Sequence, residues 1–235
     1  MPEDSQEEKL RERMHDDRRV SELLLRACHD LRAPLRSIRT HAELLHRGAA
    51  VQPPASESLH FIVEGARRID SLVDGLSHYS VALQLDDTLF QTAPMDVLLR
   101  SVLAKLKKEL SDAGAQVTYR DLPRVRGNPD RLMEVFENLL RNALAYRGSA
   151  APLIEITAEE QQDHWVFAVR DNGPGIAAGY LEKIFQPFER LDTGGHSGVG
   201  LGLAICRTIV LRHGGEIWAE SQEGNGATFF FSLPA

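Results

Sequence analysis

The sequence predicts an α then α+β chain: an antiparallel helical hairpin, then an α/β domain with a mixed, mostly antiparallel sheet. Three observations predict it. Apolar residues fall at Leu24, Cys28, Leu31, Leu35, Ile38, Ala42 and Leu45, in steps alternating four and three, which is the seam of a packed helix. The pattern returns at Leu59, Ile62, Ala66, Ile69, Val73, Leu76 and Leu83, broken only by Ser80, after a connection RGAAVQPPAS whose Gly48, Pro53 and Pro54 stop one helix and start the next. Beyond Leu85 the texture changes to short strands and amphipathic helices. Two helices with one stripe each enclose a core poorly, so the hairpin is expected to pair with a second copy as a four-helix bundle.

Each element follows from its own signals. The first seam continues weakly through Leu10, Met14 and Ser21, which extends the first helix toward Glu3. TLFQTAP reads as a strand, and Asp96 is placed to cap a helix running through Ser111. QVTYRDL reads as a strand, and Asn128-Pro129 opens a helix through FENLLRNALAYRG. LIEITAEE and HWVFAVRD are strands, a glycine-rich stretch leads to a helix near Val199 to His213, and EIWAESQ with ATFFFSL forms a hairpin across EGNG. The expected divisions are 1–22 (N-terminal helix), 23–86 (hairpin) and 87–235 (α/β domain).

Composition restricts the function classes. A net charge of −7 and a pI near 5.7 argue against binding nucleic acid through a broad basic surface, so a phosphate-bearing ligand must be held by local groups. The two cysteines, Cys28 and Cys206, have no metal-ligand spacing, which suits a reduced, cytoplasmic setting. No apolar run approaches the roughly 18 residues that span a bilayer, so any anchor is expected outside this chain.

Four constellations bear chemistry. His29 lies one residue past the seam position Cys28, about 100° off the packed stripe, with Asp30 next to it to orient the imidazole or take its proton. Asn138 and Asn142 share a helix face with Arg131, Glu134 and Ala145; their carboxamide oxygens are hard donors suited to Mg²⁺, although taken alone the pair reads first as the polar surface of an amphipathic helix. DNGPGI follows a strand directly, where glycines admit a flat ligand and Asp171 can accept from an exocyclic amine; a tight turn reads the same way. Gly198, Gly200 and Gly202 open a helix whose amides can cradle phosphate, in neither Rossmann nor Walker spacing. Between the glycine motifs, AAGYLEKIFQPFERLDTGGHS has two anchoring phenylalanines, Phe185 and Phe188, and the small polar end of a mobile lid.

In this order the segments resemble the bacterial sensor histidine kinases along essentially the whole chain. CHDLRAPLRSI looks like the family's phospho-acceptor box, FENLLRNALAYRG its N box, DNGPGI, GVGLGLAI and GNGATF its glycine boxes, and IFQPFERL its F box. HDLRAPLRSI with NALAYRG and RHGGEIWAESQ is most similar to the phytochrome-like group. The resemblance implies an α/β sandwich that binds ATP with Mg²⁺, and a protein-histidine kinase that phosphorylates itself and then a response-regulator aspartate.

By the same resemblance His29 is the phospho-acceptor and Asp30 its base or orienting carboxylate. Asn142 ligates Mg²⁺ with Asn138 beside it. Tyr146 lines the base pocket, Arg147 reaches the phosphates and Asp171 binds the adenine amine. Gly173, Gly175 and Ile176 shape the adenine pocket. Gly198, Gly200, Leu201 and Gly202 surround the phosphates, Thr228 borders the base, and Arg190 contacts the terminal phosphate. Ala145 stands where many members have Lys or Arg, which shifts phosphate contact to Arg147. Ala33 replaces a Thr or Asn that supports dephosphorylation of the partner, implying weak phosphatase activity. The partners implied are a second copy and a response regulator, with the sensor on a missing part of the protein or on another chain. Chaperone-type or mismatch-repair ATPases and anti-sigma serine kinases share such a nucleotide site but lack the His29 hairpin. A decayed scaffold would lack ligands, and only Ala145 is irregular.

Overall fold

The computed structural model describes residues 26–45, 55–190 and 199–235, as two compact units dividing between Asp74 and Gly75. The expected first-helix residues from Glu3 to Leu24, the connection as far as Pro54, and the lid end with Gly198 lie outside the described residues.

In the first unit, helix α1 covers residues 26–45 and packs antiparallel on α2, Ala55–Leu83. His41 stacks on Phe61 with ring centroids 4.5 Å apart, and Gly65 faces Ile38 and the Pro34 carbonyl. The buried positions correct the heptad reading. They are Ala27 and Pro34 in α1 and Ser58, Gly65 and Leu72 in α2, each one residue before an expected stripe residue. Size is the reason. A Cβ on Gly65 would come within 2.8 Å of Ile38 Cγ1, so only a residue without one admits this approach. The bulkier stripe lies beside the contact, and Leu35, Leu59 and Val73 remain 53%, 53% and 50% exposed.

The second unit begins with the last turns of α2. A short turn at Asp87–Leu89, whose Thr88 N–H donates to Asp86 Oδ1 (2.9 Å), leads into β1, Gln91–Pro94. Helix α3, Met95–Lys105, starts behind Pro94 with no side-chain cap. Asp96 is therefore not the cap that the sequence suggested; it sits in the first turn and pairs with Arg100 at 2.9 Å. The helix also does not run unbroken to Ser111. The backbone leaves helical geometry at Leu106 (φ −88°, ψ 5°), which is fully buried, and α4, Lys107–Asp112, starts afresh.

Strand β2, Gln116–Tyr119, precedes β3, Arg124–Gly127, an element missing from the sequence reading. Only Val125 and Gly127 of β3 are buried, so its alternation is too short to register as a strand. It pairs antiparallel with β1 in a two-stranded sheet.

Helix α5, Pro129–Ala145, is capped as expected: Asn128 Oδ1 accepts from the N–H groups of Asp130 and Arg131. Strands β4 (Leu153–Gln161), β5 (His164–Asp171), β6 (Ile217–Ser221) and β7 (Ala227–Pro234) join β2 in the order β2-β4-β5-β7-β6, where only the β2–β4 pair is parallel. Helix α6, Gly202–Arg212, packs with α5, and Phe136, Phe167 and Phe231 form the aromatic core between α5 and the sheet.

His213, just past α6, ties three segments together. Its Nδ1–H donates to the Ile209 carbonyl (2.7 Å), its Nε2 accepts the Asn128 N–H (3.0 Å), and its ring stacks on Phe90 at 4.3 Å. Burial holds this imidazole below its ordinary pKa of 6.5, against the smaller upward pull of the Ile209 carbonyl. The unfolded chain therefore binds the proton first, so stability is complete above about pH 6.5 and declines as pH falls below it. Thermal unfolding at pH 7.5 and pH 5.5 should show a larger drop for wild type than for His213→Phe. Equal drops would contradict the assignment.

Candidate functional site

The second unit holds an open cavity of about 570 Å³, counting the solvent at its mouth. Helix α5 contributes Asn142 to the wall, and its C-cap Tyr146 follows four residues later on the same side, on the turn beyond the buried Leu139 and Ala143. The end of β5 contributes Asp171, and the loop after it Pro174, Gly175 and Ile176. Arg190, the last described residue before position 199, lines the same space. Six of the residues expected from the sequence thus meet in one cavity.

Asp171 is a carboxylate in the wall of this cavity. Its Oδ1 accepts from the Gly173 N–H (2.8 Å) and the Ala227 N–H (3.3 Å), which leaves the other oxygen for a ligand. Burial raises its pKa above the ordinary 3.8, while the two backbone donors pull it back down. The surrounding wall is apolar, with Ile184, Leu203, Ala227 and Phe229 beside Ile176. A flat, mostly apolar group with one amine fits such a pocket.

The remaining expected residues stand elsewhere. Asn138 faces the start of α6: a Cβ on Gly202 would lie 3.2 Å from its Oδ1. Leu201 is buried against Gly75 of α2, where an added Cβ would meet Leu201 Cδ1 at 2.8 Å. The Gly200 carbonyl accepts from the Phe188 N–H at 2.8 Å, tying the second glycine motif to the F-box segment. Arg147 donates to the Leu144 carbonyl (2.8 Å) at the end of α5 and does not line the cavity. Gly173 is held by Asp171, and Thr228 alternates onto the other face of β7 from the lining residues Ala227 and Phe229. Gly198 lies outside the described residues.

Sequence reasoning missed Pro174, Ile184, Glu189, Leu203, Ala227 and Phe229, which also line the cavity. Alternation along ATFFFSL would have put Ala227 and Phe229 on one face; nothing in the sequence tells which face looks into the pocket.

In the first unit the His29 side chain is 83% exposed, on the side of α1 opposite the buried Ala27. Its Nδ1 lies 3.2 Å from Asp30 Oδ1. Among the described residues no group of three His, Cys, Asp or Glu side chains is arranged to hold a metal ion.

Residues 127–235 match the family model described as histidine kinase-, DNA gyrase B-, and HSP90-like ATPase, and residues 19–81 match the His Kinase A (phospho-acceptor) domain. The catalytic domain of histidine kinase ThkA is 32% identical and superposes with a TM-score of 0.54, covering 62% of this chain and 95% of that one. The chain belongs to the histidine kinases.

This histidine kinase is also 39% identical to cyanobacterial phytochrome A of Nostoc sp. and 37% identical to the phytochrome-like protein Cph1 of Synechocystis sp., over 88% of its own length. It spans 28% of the length of each. Full-length ShkA in complex with AMPPNP is a further structural neighbour, 25% identical with a TM-score of 0.61, over 91% of this chain and 45% of that one.

Two glycines beside the kinase's pocket make a controlled comparison. Both Gly224 and Gly226 have positive φ, +86° and +79°, but a Cβ on Gly224 meets nothing within 4 Å, whereas one on Gly226 would lie 2.0 Å from the Asp171 carbonyl oxygen. Gly224→Ala should cost about 1 kcal/mol from backbone strain alone. Gly226→Ala must also push β7 from the end of β5, at about 3–5 kcal/mol, and should lower Tm by about 10 °C. Equal Tm values for the two variants in thermal unfolding would refute the close approach.

Proposed function

We propose that this histidine kinase core phosphorylates His29 from Mg-ATP and then passes the phosphoryl group to an aspartate of a response regulator. The observation that carries the reading is the cavity in which Asp171, with one uncommitted oxygen, stands among apolar walls beside Asn142 and Arg190. That oxygen would accept the adenine amine. Asn142 would offer its carboxamide oxygen to a Mg²⁺ shared with the phosphates, with Asn138 behind it. The ion would supply neutralising charge on the phosphate oxygens.

The His29–Asp30 geometry suggests the attacking atom. With Nδ1–H donating to Asp30 Oδ1 (3.2 Å), Nε2 keeps its lone pair. Nε2 attacks the γ-phosphorus in line, an N–P bond forms, the bond to the β,γ-bridging oxygen breaks, and ADP leaves. Asp30 takes the Nδ1 proton as the ring acquires its substituent, so that the product imidazole is neutral. Positioning and charge would supply most of the acceleration, with Arg190 on the terminal phosphate.

Residues 23–86 are proposed as the dimerisation and phosphotransfer domain, residues 87–235 as the catalytic domain, and residues 1–22 as a signalling helix. The half-exposed Leu35, Leu59 and Val73 support pairing of two copies, because such a stripe is what a dimeric bundle buries. The partner class is that of ThkA, which has been solved in complex with the response regulator protein TrrA. A cytoplasmic location is proposed; among the described residues no helix is long and apolar enough to cross a membrane.

The test is incubation with γ-labelled ATP and Mg²⁺. Acid-labile, alkali-stable label should appear on the protein. No label, or an acid-stable one, would overturn the reading.

A further inference from the structure

Two loops form one wall of the cavity, and one side chain joins them. The first is 172–176 after β5, which contributes Pro174, Gly175 and Ile176; the second is the β6–β7 turn, 222–226, which leads into Ala227. They touch without room to spare. The Gly224 N–H donates to the Pro174 carbonyl at 2.7 Å, and a Cβ on Gly175 (φ +76°) would lie 2.3 Å from the Gln222 carbonyl oxygen.

Ser221, the last residue of β6, sits at this junction. Its hydroxyl accepts the Ile176 N–H at 2.8 Å and donates to the Gly226 carbonyl at 2.6 Å. A hydroxyl has one hydrogen to give, and here that hydrogen and one lone pair serve one loop each. No backbone atom could do both at this place, since a backbone group either donates or accepts. Gly226 in turn abuts the Asp171 carbonyl, so the staple reaches the residue that anchors the ligand.

We propose that Ser221 is a positioning residue of the nucleotide site: its hydroxyl staples the 172–176 loop to the 222–226 turn and thereby fixes the wall against which the base lies. This rests on the reading of the cavity as a nucleotide pocket. Ser221 is not among the residues lining that cavity, and it acts through Ile176 and Gly226. Without the hydroxyl the Ile176 N–H has no acceptor, and the loop must find its bound position anew with each ligand. The energy is lost from binding, whereas the histidine, the asparagine and the arginine that serve the chemistry are untouched.

The experiment compares wild type, Ser221→Ala, Ser221→Thr and Ser221→Cys by two readouts. In the nucleotide-free protein, amide exchange at Ile176 should quicken selectively in the alanine variant and return toward wild type in the threonine variant. With ATP, KM should rise on the order of tenfold in Ser221→Ala while kcat stays within about threefold, because the cost of ordering the unstapled loop on binding falls on ground state and transition state alike. Threonine should restore KM, and cysteine, isosteric but a weak donor, should fall between.

Unchanged Ile176 exchange in Ser221→Ala would overturn the staple, as would a fall in kcat at constant KM. If Ser221→Ala does not fold, the cysteine variant must show the same KM shift in smaller measure, and its absence would also overturn the proposal. Quickened exchange in a protein whose wild type does not bind ATP would instead refute the nucleotide reading of the cavity and, with it, the role assigned to Ser221.

Discussion

Replacing Asp171 with asparagine should abolish most adenine-nucleotide binding and, at the same time, make the empty protein more stable at neutral pH. Both effects come from the same geometry. Oδ1 is committed to the Gly173 and Ala227 N–H groups, so an asparagine must keep its oxygen there and turn its NH₂ toward the ligand. Donor then faces donor where the carboxylate accepted. Flipping the amide does not help, because NH₂ would then confront two backbone N–H groups. Losing a charge-assisted bond and stranding a donor should cost about 2–4 kcal/mol, or about 30- to 1,000-fold in affinity.

The stability gain follows from the raised pKa of Asp171. Burial lifts it above 3.8, so just above the unfolded value the folded state holds the proton that the unfolded chain has released. Stability therefore falls as pH rises through that window, and above the folded pKa the full penalty of a buried charge is present. Asparagine carries no charge and escapes it. Calorimetric titration with ADP and thermal unfolding at pH 7 read the two halves separately. A variant that still binds within threefold of wild type, or one that melts lower, would show that Asp171 is not the anchor described here.

The second large effect is at His29. Its alanine variant should lose labelling from γ-labelled ATP to background while nucleotide affinity stays within about twofold, since the imidazole does not line the cavity. Asp30→Asn separates the two jobs available to the carboxylate. If Asp30 takes the Nδ1 proton, the amide should slow labelling about 10²- to 10⁴-fold with the acceptor still present. If it only orients the ring, the amide oxygen can still accept from Nδ1–H and the loss should stay below about tenfold. Single-turnover labelling distinguishes these, and persistent label in His29→Ala would transfer the acceptor role to another residue.

Much of this architecture could be read directly from residue order. The cap at Asn128 needs only an Asn-Pro pair ahead of an apolar period, and the structure supplies both capping bonds. Strand β4 shows its alternation openly, with Ile154 and Ile156 buried at alternate positions. Where reading went astray, longer-range packing overruled local preference. Asp96 is a good capping residue in isolation, yet Pro94 starts α3 and leaves Asp96 inside the first turn, paired with Arg100. Leu106 would continue a helix on propensity, but burying it fully bends the chain into a second helix. In the hairpin, hydrophobic period picked out a stripe whose Leu35, Leu59 and Val73 stay half-exposed in this chain and missed the in-chain contact, where the missing side chain of Gly65 mattered more than bulk.

From linear order alone came the chemical identities: an imidazole with an adjacent carboxylate, a pair of asparagines one helical turn apart, and an aspartate ahead of a glycine-rich turn. These are local facts, fixed by residue type and by the 3.6-residue and two-residue periods. Three-dimensional packing divided those candidates. Asn142, Tyr146, Asp171, Gly175, Ile176 and Arg190 share a cavity, while Asn138, Arg147, Leu201 and Thr228 were turned to other neighbours. It also brought in Ala227 and Ser221, some fifty residues from Asp171 in the chain, because strand pairing and loop contact do not depend on separation along the sequence. Residue type says what a side chain can bond to; only the folded path of the backbone says which partner is within reach.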